Sequence, residues 1–159
     1  MPRPSQKKAI LDAALQVARR PGRLTLDAVA AAAGVSKGGL LYHFPDRDRL
    51  LRALVARLVD DFVTQIEHPD DREWARRYVT ATAAGVGVGA SGALLTVAAE
   101  APDMLAPLRA QIARWHQRAA GVPGLLEVVL AADALWYSQL LGVPVPAVDL
   151  SASLEAALA

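Results

Sequence analysis

The chain has no cysteine among its 159 residues. This absence excludes a disulfide framework, a thiolate zinc site and a cysteine nucleophile. Charged residues are few, at 21%, while hydrophobic residues make up 53%, so we expect some apolar surface to be buried against a partner. No apolar run approaches the ~20 residues that cross a bilayer, and the N-terminal MPRPSQKK has no signal-peptide core. These features predict a cytoplasmic protein without a membrane partner.

Paired metal ligands and catalytic pairs are missing as well. The three histidines lie far apart in the sequence: His43, His68 and His116. Asp60-Asp61 and Asp70-Asp71 are adjacent carboxylates, but neighbours on a helix diverge by about 100°, so they cannot share one proton. We expect these carboxylates to be solvated and each histidine to be structural or solvated. The sequence therefore predicts no catalytic residue, no metal site, no cofactor and no enzyme.

Glycines recur as Gly87-x-Gly89-x-x-Gly92, which matches the dinucleotide-binding fingerprint in its letters. That fingerprint works between a strand and a helix, and nothing upstream alternates as a strand does. The glycines instead indicate a gap between packed helices. Such a gap either admits a ligand or lets two helices approach closely.

Residues 24–51, LTLDAVAAAAGVSKGGLLYHFPDRDRLL, carry the most specific pattern in the chain. Thr25 is a good helix N-cap, and Ser36 is a second one. Gly34 lies between them as a C-terminal stop, because glycine adopts the left-handed conformation without a Cβ clash. Leu40 and Phe44 are four residues apart and point inward together. Two short helices joined by a tight glycine turn predict a helix-turn-helix.

The second of these helices carries the functional indication. Lys37, Gly38, Leu41, Tyr42 and His43 lie outside the inward stripe or at its exposed end. Adjacent glycines cost a helix roughly 1 kcal/mol each relative to alanine, so keeping both indicates that the backbone approaches something large. The spacing favours a recognition helix in a major groove, and the alternative is an ordinary helical hairpin with a weak second helix.

Charge is distributed unevenly along the chain, although the net charge is only +1. Residues 1–50 contain nine Lys/Arg against four Asp/Glu, while residues 51–159 contain eight against twelve. A basic N-terminal third beside an acidic remainder favours one DNA-facing end.

Roughly residues 7–55 resemble the N-terminal DNA-binding domain of TetR-type (tetracycline-repressor-like) transcriptional regulators. The resemblance lies in ILDAALQVARRPGRLTLDAVA and in AGVSKGGLLYHFPDRDRLL, where Leu40, Tyr42, His43 and Phe44 are similar to the family's leucine–aromatic–histidine–aromatic signature. Pro45-Asp46 departs from the family pattern, in which many members carry a lysine and a small polar residue. The resemblance implies a DNA-binding surface made of Thr25, Ser36, Lys37, Gly38, Gly39, Leu41, Tyr42, His43 and Arg47.

The rest of the chain alternates helical patterns with Pro/Gly breaks and contains no strand pattern. We predict an all-α fold, with a three-helix DNA-binding domain in residues 1–46 and a helical effector-binding and dimerisation domain in residues 47–159. A long helix over residues 46–67 links the two domains. Further helices are predicted over 72–84, 94–99, 103–120 with Asp103 as its cap, 125–141, and in a last short segment.

Two further surfaces are predicted in the second domain. The helix over 125–141 is apolar almost all round, so it must be covered on all sides, and in so short a chain the second cover is another subunit. The residues predicted for the dimer interface are Leu126, Val129, Leu130, Trp136, Tyr137 and Leu154. A small, largely apolar effector is predicted to bind beside Phe62, Trp74, Tyr78, Met104 and Trp115, for which plain core packing is the alternative.

The sequence as a whole predicts a transcriptional regulator, most simply a ligand-responsive repressor, that binds double-stranded DNA as a homodimer. The competing interpretation is a helical small-molecule-binding or adaptor protein without sequence-specific DNA binding.

Overall fold

The computed structural model describes residues 6–18, 24–85, 97, 101–144 and 149–159. Every regular element within these ranges is helical, and the predicted all-α class is confirmed. The α-helices are α1 Gln6–Ala18, α2 Leu26–Ala33, α3 Lys37–His43, α4 Arg47–Ile66, α5 Asp71–Ala83, α6 Ala106–Ala120, α7 Leu125–Leu141 and α8 Ser151–Leu158.

The chain forms two compact units. The first comprises residues 1–58 and 89–107, and the second comprises residues 59–88 and 108–159. Helix α4 has 20 residues and a length of about 30 Å at 1.5 Å per residue. It begins in the first unit and ends in the second, so one continuous helix belongs to both.

The first unit is built around the packing of α1 on α2 and of α2 on α3. Apolar residues three or four positions apart on these short helices point to a common core. Helix α4 adds Leu50, Leu51 and Leu54, which are all buried. The other buried side chains of these helices and their connections include Ile10, Leu11, Ala14, Ala18, Leu24, Val29, Ala30, Leu40 and Phe44.

Helix α5 is the centre of the second unit, where it packs against α7 and α8. Its inner face carries Trp74, Tyr78 and Thr82, spaced four residues apart and all buried. Leu125, Val129 and other residues of α7 close the core from the opposite side. No helix within the described part of the chain combines the length and the apolarity needed to cross a membrane.

The loop after α4 is tied to α6 by the side chain of Arg118. Its guanidinium donates to Asp71 Oδ1 at 2.8 Å, to Glu67 Oε1 at 3.0 Å and to the carbonyl of His68 at 2.6 Å. Its Cζ atom also lies 4.7 Å from the centre of the Trp74 ring. One arginine thus joins the end of α4 and the start of α5 to the last turn of α6.

Two acidic residues behave differently from the sequence-based expectation. Asp70, expected to be merely solvated, is the N-cap of α5, because its Oδ1 accepts from the amide of Glu73 at 2.8 Å. Asp103 was expected to cap a helix, and this prediction is wrong. It lies inside a 3-10 helix, Pro102–Leu105, which has no side-chain cap, and α6 begins only at Ala106.

Candidate DNA interface

Three local contacts set the geometry of α2 and α3. Thr25 Oγ1 accepts from the amide of Ala28 at 3.1 Å, and this bond caps α2. Gly34 then ends α2 with φ of 65°, in the left-handed region where glycine has no Cβ penalty. Ser36 Oγ accepts from the amide of Gly39 at 3.0 Å and begins α3. The two caps and the glycine stop predicted from the sequence are thereby confirmed.

The outward face of α3 is formed by small and aromatic residues. The Tyr42 side chain is 84% exposed, although the hydrophobic effect favours burying so large a ring. A Cβ atom built on Gly38 would meet only Ser36 Oγ, at 4.0 Å, so this position opens to solvent. A Cβ on Gly39 would lie 3.3 Å from the same oxygen, so glycine there leaves room for the Ser36 cap. A flat helix surface with one projecting ring is suited to close contact with a rigid partner.

Lys37 is the first residue of α3 and is paired with Asp27 of α2. The Lys37 Nζ atom lies 3.0 Å from Asp27 Oδ1 and 3.3 Å from Oδ2. Both side chains are exposed, and the pair lies beside the open surface at Gly38. Lys37, which was predicted to contact DNA, therefore forms an ion pair with a carboxylate of its own chain.

His43 and Arg47 have partners within the first unit. The His43 Nε2 atom lies 3.2 Å from Gln6 Oε1 at the start of α1, and the His43 ring meets the Tyr42 ring edge-on with centroids 5.1 Å apart. Arg47 Nε donates to the carbonyl of Leu24 at 3.1 Å. The contact with Gln6 holds the C-terminal end of α3 and the contact with Leu24 holds the start of α4. Leu41, two residues before His43, is half-buried.

Four of the five residues predicted for the effector site form one aromatic cluster in the second unit. The Phe62 ring centre lies 5.8 Å from that of Tyr78 and 5.2 Å from that of Trp115. Trp74 completes the cluster, with its ring 5.4 Å from Tyr78. Met104, the fifth residue, is buried and belongs to the first unit.

A partly buried polar network leads from this cluster to α7, and the sequence analysis did not find it. The Tyr78 hydroxyl donates to Asp133 Oδ1 at 2.6 Å, and His116 Nε2 lies 2.7 Å from Asp133 Oδ2. Burial and the negative charge of Asp133 raise the pKa of Tyr78 far above its usual value. The same causes raise the pKa of Tyr137. The three groups come from α5, α6 and α7, so no local spacing in the sequence signals them.

Two family models match the chain. The model of the tetracyclin repressor-like C-terminal domain matches residues 72–159, which is more than half of the chain. The model of bacterial regulatory proteins of the tetR family matches residues 10–54 and covers α2 and α3. The chain belongs to the TetR family. It is a DNA-binding transcriptional regulator, and the resemblance found in the sequence is confirmed.

Solved structures of similar proteins share the TetR fold over nearly the whole chain. A TetR-like transcriptional regulator from Rhodococcus sp. RHA1 has a TM-score of 0.70 at 20% identity, covering 99% of this chain and 93% of its own. A TetR-family member from Streptomyces coelicolor A3 has a TM-score of 0.65 at 24% identity, with 98% and 97% covered. The flavonoid-responsive regulator FrrA has a TM-score of 0.67 at 22% identity, with 96% and 93% covered.

In this TetR-family chain the residues predicted for the dimer interface lie in two environments. Leu130 and Tyr137 of α7 are 46% and 45% exposed, and Leu141 and Val143 extend the exposed apolar surface. Leu126 and Trp136 are half-buried. Val129 and Leu154, in contrast, are buried in the core of their own subunit.

Some sequence-based predictions lie outside the described residues. These are the Gly87-x-Gly89-x-x-Gly92 pattern and most of the helix predicted over 94–99. Within the described part of the TetR-family chain, no group of three His, Asp or Glu side chains is arranged to hold a metal ion.

Proposed function

We propose that this TetR-family regulator is a ligand-responsive repressor that acts in the cytoplasm and binds a pseudo-palindromic operator as a homodimer. Its DNA-binding domain spans residues 1–46, and its effector-binding and dimerisation domain spans residues 47–159. The observation that carries the proposal is the open outward face of α3, where a large ring projects from a glycine surface. A solvated hairpin has no physical reason to expose Tyr42 while keeping Gly38 and Gly39.

On DNA, α3 lies in the major groove and its first residues reach base edges. Gly38 and Gly39 bring the helix backbone near the bases, and Tyr42 fixes the register against the sugar–phosphate backbone. Thr25 and Ser36 add hydroxyl groups at the starts of the two helices, with Leu41 and His43 at the margin. Lys37 and Arg47 supply positive charge toward phosphates, so the affinity falls with salt.

A homodimer places two copies of α3 in successive major grooves, about 34–36 Å apart. The exposed side chains of α7, led by Leu130 and Tyr137, supply the contact between subunits. Large apolar side chains exposed together on one helix favour a protein partner, and a second copy satisfies the two-fold symmetry of a pseudo-palindrome. Leu126 and Trp136 lie beside this contact.

The effector is a small, largely apolar molecule that binds at the aromatic cluster of the second unit. Two buried donors of the cluster, Trp74 Nε1 and Trp115 Nε1, lack a hydrogen-bond partner among the described residues, as does the hydroxyl of Thr82, one turn beyond Tyr78 on α5. Because an unpaired buried donor is costly, acceptor oxygens on an effector are a favourable partner. The similar regulator FrrA is described as flavonoid-responsive, which supports an aromatic effector of this kind. The effector shifts the DNA-binding equilibrium only by its differential affinity for the two states.

The experiment is fluorescence anisotropy of the purified protein on DNA from upstream of its own gene, at 50 and 200 mM salt. An unrelated duplex is the DNA control, and Tyr42→Phe is the matched control for Tyr42→Ala. We expect tight, salt-sensitive binding to the upstream duplex, lost at least tenfold in Tyr42→Ala and retained within about threefold in Tyr42→Phe, because the ring supplies most of the contact area. Flavonoids and other small aromatic compounds are then titrated into the complex to find one that releases the DNA.

Equal affinity of the wild type and Tyr42→Ala would contradict the assignment of α3 as the reading surface. Failure to bind any duplex at 50 mM salt would favour instead a helical small-molecule-binding protein without sequence-specific DNA binding.

A further inference from the structure

The ion pair between α2 and α3 stands at the proposed DNA surface, and its negative member has no part in the contacts assigned so far. Asp27 is the second residue of α2, and Lys37 is the first residue of α3. The carboxylate holds the ammonium through both oxygens, at 3.0 and 3.3 Å. The side chains are 71% and 60% exposed. An ion pair this exposed contributes little to folding. Asp27 also lies in the first turn of α2, where a negative charge stabilises the helix start, but that contribution does not require a contact with Lys37.

A carboxylate beside a DNA-facing lysine is unfavourable for affinity. It neutralises the ammonium in the free protein, so the pair presents almost no net charge to an approaching phosphate. A protein selected for tight binding alone would leave Lys37 without this partner. Specificity, however, is a difference between two affinities, and it also rises when binding to the wrong partner is weakened.

We propose that Asp27 is a specificity-determining residue that withholds Lys37 from the phosphates of non-operator DNA. The inference rests on the proposed function, namely that α3 reads an operator. On an arbitrary duplex, Lys37 forms an ion pair with a phosphate only if its ion pair with Asp27 breaks. The exchange therefore contributes little to the free energy of binding. On the operator, α3 is fixed in the groove by its other contacts. The three N–H donors of Lys37 then reach Asp27 and the DNA together.

Counterion release gives this proposal a quantitative signature. The logarithm of the binding constant falls with the logarithm of the salt concentration with a slope of about −0.9 per phosphate neutralised. Asp27→Asn leaves Lys37 with an unbalanced positive charge and so adds one neutralised phosphate. We expect the slope on an arbitrary duplex to steepen by about 0.9, which makes the loss between 50 and 200 mM salt about 3.5-fold larger than in the wild type.

The test compares variants on an arbitrary 25-base-pair duplex and on the tightest duplex that the wild type selects from a random pool. In Asp27→Asn we expect affinity for the arbitrary duplex to rise about fivefold at 50 mM salt and affinity for the selected duplex to rise by less than twofold, so that discrimination falls. Asp27→Glu keeps the charge and should remain within twofold of the wild type on both duplexes. Glu155→Gln is the matched control, because it removes a carboxylate from the exposed Arg76–Glu155 pair of the second unit, 3.0 Å long. It should leave both affinities unchanged.

The double variant Lys37→Met/Asp27→Asn separates the proposal from simple repulsion. If Asp27 acts through Lys37, replacing Asp27 has no effect on the arbitrary duplex once Lys37 is gone. A gain that persists in the Lys37→Met background would overturn the proposal, as would an unchanged salt slope in a folded Asp27→Asn protein, with folding checked by circular dichroism. If the wild type selects a duplex and Tyr42→Ala loses it while Asp27→Asn changes nothing, only this inference fails. If the wild type binds and selects no duplex, the proposed function fails with it.

Discussion

Asp133 connects three helices of the second unit through its side chain. Its carboxylate is largely enclosed between α5, α6 and α7, and each oxygen has one partner, the Tyr78 hydroxyl or the His116 ring. A carboxylate in such a place is tolerated only when it is hydrogen-bonded. The network therefore fixes how three helices meet, in addition to whatever the aromatic rings contribute by packing.

We expect Tyr78→Phe to destabilise the protein by about 1–3 kcal/mol, because it leaves one oxygen of a largely buried carboxylate without its donor. Tyr42→Phe is the matched control, since its hydroxyl is in solvent and surface changes of this kind usually stay within about 0.5 kcal/mol. Urea unfolding at fixed protein concentration measures both. Equal stability of the two variants would show that the hydroxyl of Tyr78 contributes nothing to folding.

At the scale of residues, contacts between near neighbours in the sequence can be predicted well, and contacts between distant residues cannot. Thr25, Gly34 and Ser36 were identified correctly, because a cap or a left-handed stop depends on atoms within three or four residues. The aromatic residues were recognised as a possible group, but Met104, which was grouped with them, belongs to the first unit, since spacing cannot show which unit encloses a side chain. The contact of Tyr78 with Asp133 spans 55 residues, and no pattern in the chain encodes it.

Among the elements, α5 begins with a strongly charged first turn. Asp70 caps its first turn, Glu73 pairs with Arg77 at 2.8 Å, and Arg76 reaches Glu155 of α8. The amide hydrogen bond from Glu73 lowers the pKa of Asp70, and the hydrogen bond from Arg77 lowers that of Glu73. Both groups thus favour the folded state in their charged forms.

Stability should fall as the pH drops through the range of these carboxyl groups. Their folded pKa values lie below the ordinary 3.8 of Asp and 4.5 of Glu, so the unfolded chain binds more protons there. The contribution is complete above the ordinary values and is lost as the pH falls through the lowered ones. Asp70→Asn keeps a cap but removes one titration, and it should flatten the acid limb of unfolding curves recorded from pH 6 to 3.

Asp70→Ala distinguishes the two roles of this residue. It removes the cap as well as the charge, so at pH 7 it should be less stable than Asp70→Asn. Identical stability of these variants at pH 7, or an acid limb as steep in Asp70→Asn as in the wild type, would contradict this account of α5.

Several element boundaries followed from the sequence because a glycine or a cap marks them. Helix α7 ends at Leu141 because Gly142 adopts a φ of 69° directly after it, and the predicted bounds agree. The segment at Pro102–Leu105 was harder to predict, since a 3-10 turn and the first turn of an α-helix differ by one residue in their hydrogen bonds. There the amide of Met104 donates to the carbonyl of Ala101 at 2.9 Å, and Met104 is buried.

At the scale of the whole molecule, an isolated chain exposes an apolar stripe on α7 to water, which is unfavourable. Leu130, Tyr137 and Leu141 are spaced by seven and four residues, so they lie on one side of the helix. That side is opposite to the one that packs on α5 and α8, where Val128 and Ala132 are buried. A second copy of the chain is the partner that the proposed function assigns to this stripe.

We expect the double variant Leu130→Glu/Tyr137→Glu to be a folded monomer. In a dimer, the new carboxylates of the two subunits would face and repel one another, and they would lose their hydration. Binding to a two-half-site operator should then weaken by at least a hundredfold, since the second α3 no longer adds its contacts. Light scattering after size exclusion measures the mass, and anisotropy measures the affinity. Tyr42→Glu is the control, and it should lose the operator while remaining a dimer. A double variant that stays dimeric would remove α7 from the interface.

The open position at Gly38 has a consequence for how this protein changes over generations. A residue placed there meets almost nothing of its own chain, and alanine or a longer side chain is favoured over glycine within a helix by up to about 1 kcal/mol. Most point substitutions in a protein reduce its stability. At Gly38, a first substitution stabilises the helix and at the same time changes the surface that contacts the DNA groove. A duplicated copy of this gene thus has a route to a different target that does not pass through an unstable intermediate.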